Sequence, residues 1–161
     1  MIDRICHLAL CAFLAGIPLL GILWIFSVPD LFEMGLVSAQ VLGVALGLAC
    51  GAVFLKYPYG EKAGLVELIL GLVGFSVWSW MAINLQTWYF IMAERPPEMW
   101  VPGIFALLLM MEGIRKAAGG IIACIVWTIL IYGFVGNHLP GVLEAEVFPP
   151  DKTLVYLYAD L

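Results

Sequence analysis

Charged side chains are scarce in this chain, so any chemistry must begin with the few that share a helix face. Glu112 stands three and four residues before Arg115 and Lys116. On a helix those spacings bring the carboxylate and both cations to one face. Two roles fit such a set. It can be an internal ion pair that lowers the cost of charge near a membrane and clamps a helix end, or a step in an ion pathway. The structural clamp is the expected role. Glu67 falls in the first turns of an apolar stretch, close enough to its end for the carboxylate to reach the aqueous boundary. Gln40, Asn84 and Gln86 are candidates for hydrogen bonds between helices, each worth about 0.6 kcal/mol on average.

Other chemistries lack their residues. Cys6, Cys11, Cys50 and Cys124 form no CxxC pair and lie in apolar runs, which fits small packing residues better than a thiol redox centre. His7 and His138 are far apart and have no clustered Cys or carboxylate neighbours, so no metal site is expected. No Ser/His/Asp set or phosphate loop is present. The sequence therefore indicates neither an enzyme nor a cofactor. The net charge of −5 is spread over loops, which suggests neither nucleic-acid binding nor a polybasic lipid anchor.

The elements that must position these residues are apolar rods. Hydrophobic residues make up 64% of the 161 residues and charged ones 12%, and the mean hydropathy is +1.06. A soluble domain of this size cannot hide so much apolar surface. The expectation is an all-α integral membrane helical bundle, with spans of roughly 17–25 residues each. About five are predicted. The first runs from about Ile5 to Val28 and contains Pro18. The second runs from Leu36 to Tyr57, and the third from Ala63 to Met92 with an aromatic tail (Trp78, Trp80, Trp88, Tyr89, Phe90) suited to the headgroup level. The fourth starts near Trp100, with Pro102 in its first turn, and ends at Lys116. The fifth covers Ile121 to Val135. The last two look short, so they are expected to snorkel at their ends or to thin the bilayer locally.

Gly43, Gly47 and Gly51 form a small-xxx-small ladder on the second span, the pattern that lets a neighbouring backbone approach closely. Residues 1–136 read as the transmembrane domain. Residues 137–161 read as an outer loop that ends on a half-built amphipathic helix, the mark of a chain cut at a domain boundary. If the N-terminus is cytoplasmic, Arg4, Lys56, Lys62, Arg115 and Lys116 lie inside and only Arg95 and Lys152 outside, as the positive-inside rule prefers. Five spans then leave the C-terminus periplasmic.

The second half of the chain resembles a known family. The segment Glu112-Gly113-Ile114-Arg115-Lys116-Ala117-Ala118-Gly119 is similar to the E-A-T-R-R-x-x-G segment of fused TRAP-transporter permeases (tripartite ATP-independent periplasmic transporters). Tyr132 to Gly141 is similar to their Y-x-x-F-G-x-x-L-P-G segment, and Leu154 to Leu161 resembles the short helix that leads into their large domain. Gly113, Ile114 and Lys116 depart from the family's preferred residues but keep its charge pattern.

The resemblance implies a small, four-helix-type scaffold domain plus a connecting fifth helix, in a bacterial inner membrane. Its partners would be a large twelve-helix transport domain in the same polypeptide, membrane lipid, and a periplasmic substrate-binding protein of the TAXI type. Together they would carry out ion-driven uptake (symport) of organic acids. The scaffold would brace the moving domain, and its outer segments Glu94–Trp100 and Glu144–Lys152 would meet the binding protein. The alternatives are a free-standing small membrane subunit of a tripartite tricarboxylate-type transporter, or a small membrane redox enzyme.

Overall fold

A bilayer offers no water to backbone N–H and C=O groups, so a chain this apolar must satisfy them within helices. The computed structural model describes residues 2–31, 33, 35–138 and 149–159, and no strand occurs among them. In chain order the helices are α1 (Ile2–Ile25), α2 (Val28–Leu31), α3 (Ser38–Lys56), α4 (Leu65–Ile91), α5 (Pro97–Ala118), α6 (Gly120–Val135) and α7 (Pro150–Ala159), with a 3-10 turn at Gly136–His138 extending α6. Five stretches are long and apolar enough to cross a membrane: Asp3–Ile25, Ser38–Lys56, Leu65–Ile91, Pro97–Ala118 and Gly120–His138. The described residues are those of a multi-pass membrane protein, helical wherever they form regular structure.

Proline sets one boundary differently from expectation. Pro96 is extended (φ −61°, ψ 153°), as a residue before proline must be, and Pro97 opens α5 with an amide that needs no partner. Pro102 therefore lies inside the helix and not in its first turn. Its missing N–H leaves the Glu98 carbonyl without an intrahelical donor, close to the helix end where water or headgroups can reach it. With this earlier start α5 has 22 residues, about 33 Å at the helical rise, enough to span without thinning the bilayer. The 16 residues of α6 give only about 24 Å, while the 27 of α4 give about 40 Å. The surplus on α4 carries Phe90, 89% exposed, past the core to the level that aromatic residues favour.

The central pair is α3 with α4. Helix α1 leans on α3, α5 packs against both, and α6 is held chiefly by α5. Phe54, Met81, Leu85 and Met99 are fully enclosed, with Trp78, Trp88 and Tyr158 packed among them. Outward faces are apolar as well: Leu8, Ile25, Ile121, Ile125 and Ile129 are all exposed, as lipid-facing helices require. The short α7 crosses the end of the bundle and packs on α5 and α4.

Candidate functional site

The glycine ladder determines how closely the central helices approach. A Cβ built on Gly47 would stand 3.1 Å from Trp78 Cβ and 3.2 Å from the Phe75 carbonyl oxygen, both on α4. One on Gly43 would meet the terminal methyl of the unbranched Met81 side chain, and one on Gly51 the ring of Phe13 on α1. From the opposite side, a Cβ on Gly71 would come within 3.1 Å of the Gly51 carbonyl, and one on Gly74 would strike Cys50 Sγ. Backbones this close gain dispersion contacts over their whole crossing, which supplies helix association in lipid where the hydrophobic effect does not.

At one end of this pair lies the polar cluster built on Glu112. The turn between α3 and α4 folds back because Glu67, the third residue of α4, accepts the Gly64 N–H at 2.8 Å and the Tyr59 N–H at 3.0 Å. Glu67 is only 5% exposed, so its carboxylate is held within the chain and does not extend toward water. That fold swings Tyr59 over the end of α5, where its hydroxyl donates to Glu112 Oε1 at 2.7 Å. Arg115 grips the same carboxylate through Nε (2.7 Å) and Nη2 (2.6 Å), a bidentate pair across one helical turn. Lys116 does not join that pair. Its Nζ lies 3.5 Å from the Tyr59 ring centroid and 5.1 Å from that of Phe54, with no hydrogen-bond acceptor among the described residues. The ring faces take the place of a carboxylate there. Covering of its hydroxyl end raises the Tyr59 phenol above its ordinary value of 10.0, and the hydrogen bond to the Glu112 carboxylate and that carboxylate's charge push it the same way.

This cluster ties three segments together: the α3–α4 turn, the start of α4 and the end of α5. Cys6 Sγ, 3.6 Å from the Gly64 carbonyl, adds the start of α1. Of the residues picked out by spacing, Glu112 and Arg115 meet directly and Lys116 goes to Tyr59. The sequence reading missed Tyr59. The only signal for it was an aromatic residue in a Pro-Tyr-Gly turn at the same end as two cations.

A second polar group occupies the opposite end. Gln40 donates to the Ala82 carbonyl at 2.6 Å and accepts from the Val37 N–H at 3.0 Å and from Gln86 at 3.2 Å. Gln86 also donates to the Gly35 carbonyl at 2.8 Å. These bonds join α3 to α4, whereas Asn84 bonds back to Trp80 of its own helix. Arg95, in the α4–α5 turn, pairs with Asp151 at the start of α7 at 2.8 Å. Tyr158, 2% exposed, lies between Trp78 (5.4 Å) and Trp88 (6.1 Å). Its Cβ is 3.1 Å from the position a side chain on Gly103 would take, and its hydroxyl donates to the Val77 carbonyl at 2.5 Å.

Among the described residues no three His, Cys, Asp or Glu side chains converge as metal ligands would. Cys6, Cys11, Cys50 and Cys124 are free thiols, and the nearest approach to a reactive pairing is Cys11 Sγ at 3.8 Å from His7 Nδ1. Of the expected outer surface, Glu94–Trp100 is described, whereas 144–148 lies outside the described residues. Comparison of the chain with known protein families, with curated proteins and with solved structures finds no match.

Proposed function

We propose that this chain is the scaffold domain of a TRAP-type secondary transporter permease. It braces a large transport domain and helps seat a periplasmic substrate-binding protein for ion-driven uptake of organic acids. The observation that carries this reading is the ordered run of motifs from Glu112 through Tyr132–Gly141 to Leu154–Leu161. The physical state of the polar groups supports it. Gln40, Glu67 and Glu112 are bonded within the chain, and the space between α3 and α4 is filled by backbone and by Trp78, Met81 and Leu85. Such a bundle resists motion, as a brace must, and keeps its carboxylates occupied by internal donors.

Five of the seven cations, Arg4, Lys56, Lys62, Arg115 and Lys116, belong to the Glu112 end, which favours that end as the cytoplasmic one in a bacterial inner membrane. The Arg95 end then faces the periplasm, where Glu94–Trp100 would meet the binding protein. An antibody against Glu94–Trp100 provides the test. In native membranes it is expected to detect the chain within a larger multi-span polypeptide. A 17.7 kDa band with no multi-span partner in mild detergent would contradict the reading.

A further inference from the structure

An apolar groove of about 830 Å³ opens at the Arg95 end, where the last turns of α4 and α6 and the face of α7 leave a gap. Its walls are Met92 and Ala93 beyond α4, Gly133 on α6, and Val155 and Tyr156 on α7. Helix α6 packs chiefly on α5 and touches α7, which leaves the space between it and the end of α4 open. Gly133 widens it further, because a Cβ there would meet no atom within 4 Å. The size lies in the range of ligand sites, roughly 300–1,000 Å³. A crevice of this kind at the end of two membrane-spanning helices opens onto hydrocarbon on one side and headgroups on the other, and packed interiors do not keep such space empty.

Charge identifies the occupant. Seven Lys and Arg side chains exist in the chain, and the two that are not at the Glu112 end, Arg95 and Lys152, both line this groove. Arg95 follows the end of α4 with a left-handed backbone (φ 48°), as Ser27 and Glu33 also have after α1 and α2. Asp151 engages only Nη1, so Nε and Nη2 have no acceptor among the described residues. Apolar walls below a guanidinium with donors to spare complement a phospholipid, with its acyl chain in the groove and its phosphate at the rim.

We propose that the groove is the seat of one resident phospholipid, its phosphate held by Arg95 and its chain lying along Gly133 and Val155. The proposal needs the helical membrane fold but not the transporter reading, so either can fail without the other.

The test is to extract the full chain from vesicles of phosphatidylethanolamine and phosphatidylglycerol, exchange detergent exhaustively, and quantify the phospholipid retained per chain. Wild type is expected to keep about one. Gly133→Leu puts a side chain into open space and should fold, yet it fills the groove and should lower retention at least tenfold. Arg95→Gln should do the same. Asp151→Asn breaks the ion pair but leaves the guanidinium in place and should retain the lipid. Lipid that washes out of wild type, or is retained equally by wild type and Gly133→Leu, would overturn the proposal. Where Arg95→Gln disturbs folding, the comparison with Gly133→Leu decides.

Discussion

Gly47→Ala measures how far the fold depends on close backbone approach. The new methyl would lie 3.1 Å from Trp78 Cβ and 3.2 Å from the Phe75 carbonyl, neither of which can rotate away, so α3 and α4 must separate. Overpacking of this kind costs about 1–3 kcal/mol. Glycine-to-alanine in a helix returns about 0.5–1 kcal/mol of backbone entropy, which leaves a net loss centred on about 1 kcal/mol and at most about 2.5 kcal/mol, so a shift of about fivefold in the folding equilibrium is expected. Two substitutions calibrate it. At Gly43 the neighbour is the flexible tip of Met81, so Gly43→Ala should be close to neutral. At Gly21 nothing lies within 4 Å, so Gly21→Ala should stabilise slightly. The assay is reversible unfolding in mixed micelles by titration with sodium dodecyl sulfate, followed by tryptophan fluorescence. The expected order of stability is Gly21→Ala, then Gly43→Ala, then Gly47→Ala. If Gly47→Ala is as stable as Gly21→Ala, the ladder is not the contact that fixes the central pair.

The other expectations concern the two ends. Tyr158→Phe removes the hydrogen bond to the Val77 carbonyl and should cost about 0.5–1.5 kcal/mol. Limited proteolysis should show α7 cut sooner while α3 and α4 stay protected, and unchanged cutting would remove Tyr158 as its anchor. Glu67→Ala strands the amides of Tyr59 and Gly64, each worth about 1–3 kcal/mol when left unpaired. Hydrogen exchange at residues 59–64 should accelerate, and exchange at the wild-type rate would deny Glu67 that role. Because the folded Tyr59 phenol is raised above 10.0, the neutral form is favoured. Its bond to Glu112 is therefore intact below pH 10 and is lost as pH rises through the folded value. Burial also raises the Tyr158 phenol, so ultraviolet titration should show two late tyrosines, of which only Tyr59 moves toward ordinary behaviour in Glu112→Gln; no difference between the two proteins would refute the contact.

The five long helices were legible because runs of apolar residues that cannot be buried in so short a chain leave only one solvent for them. Pro58, Pro96 and Pro97 marked two of the breaks for a local reason, since proline restricts its predecessor and cannot donate. The start of α5 was misjudged because the sequence reading placed Pro102 in its first turn, a role that Pro97 fills. The ladder at Gly43, Gly47 and Gly51 could be read as a face, but its neighbours could not. Gly51 meets Phe13 on α1 and also adjoins Gly71 on α4, a three-helix junction that no spacing encodes. Helical spacing placed Arg115 and Lys116 equally near Glu112. The divergence arises from Tyr59, which a turn 53 residues earlier brings to the same spot. Long-range contacts of that sort also put Tyr158 beneath Trp78 and Trp88, and a single chain's local pattern carries no record of them.

Solute flux through the chain itself tests the central claim most directly. Purified protein reconstituted in liposomes under an imposed sodium or proton gradient should leave internal organic acids at the level of protein-free vesicles, because the α3–α4 interior is filled and Gln40, Glu67 and Glu112 are occupied by internal partners. Gradient-dependent accumulation of any solute by these proteoliposomes would contradict a bracing role and make the bundle a carrier.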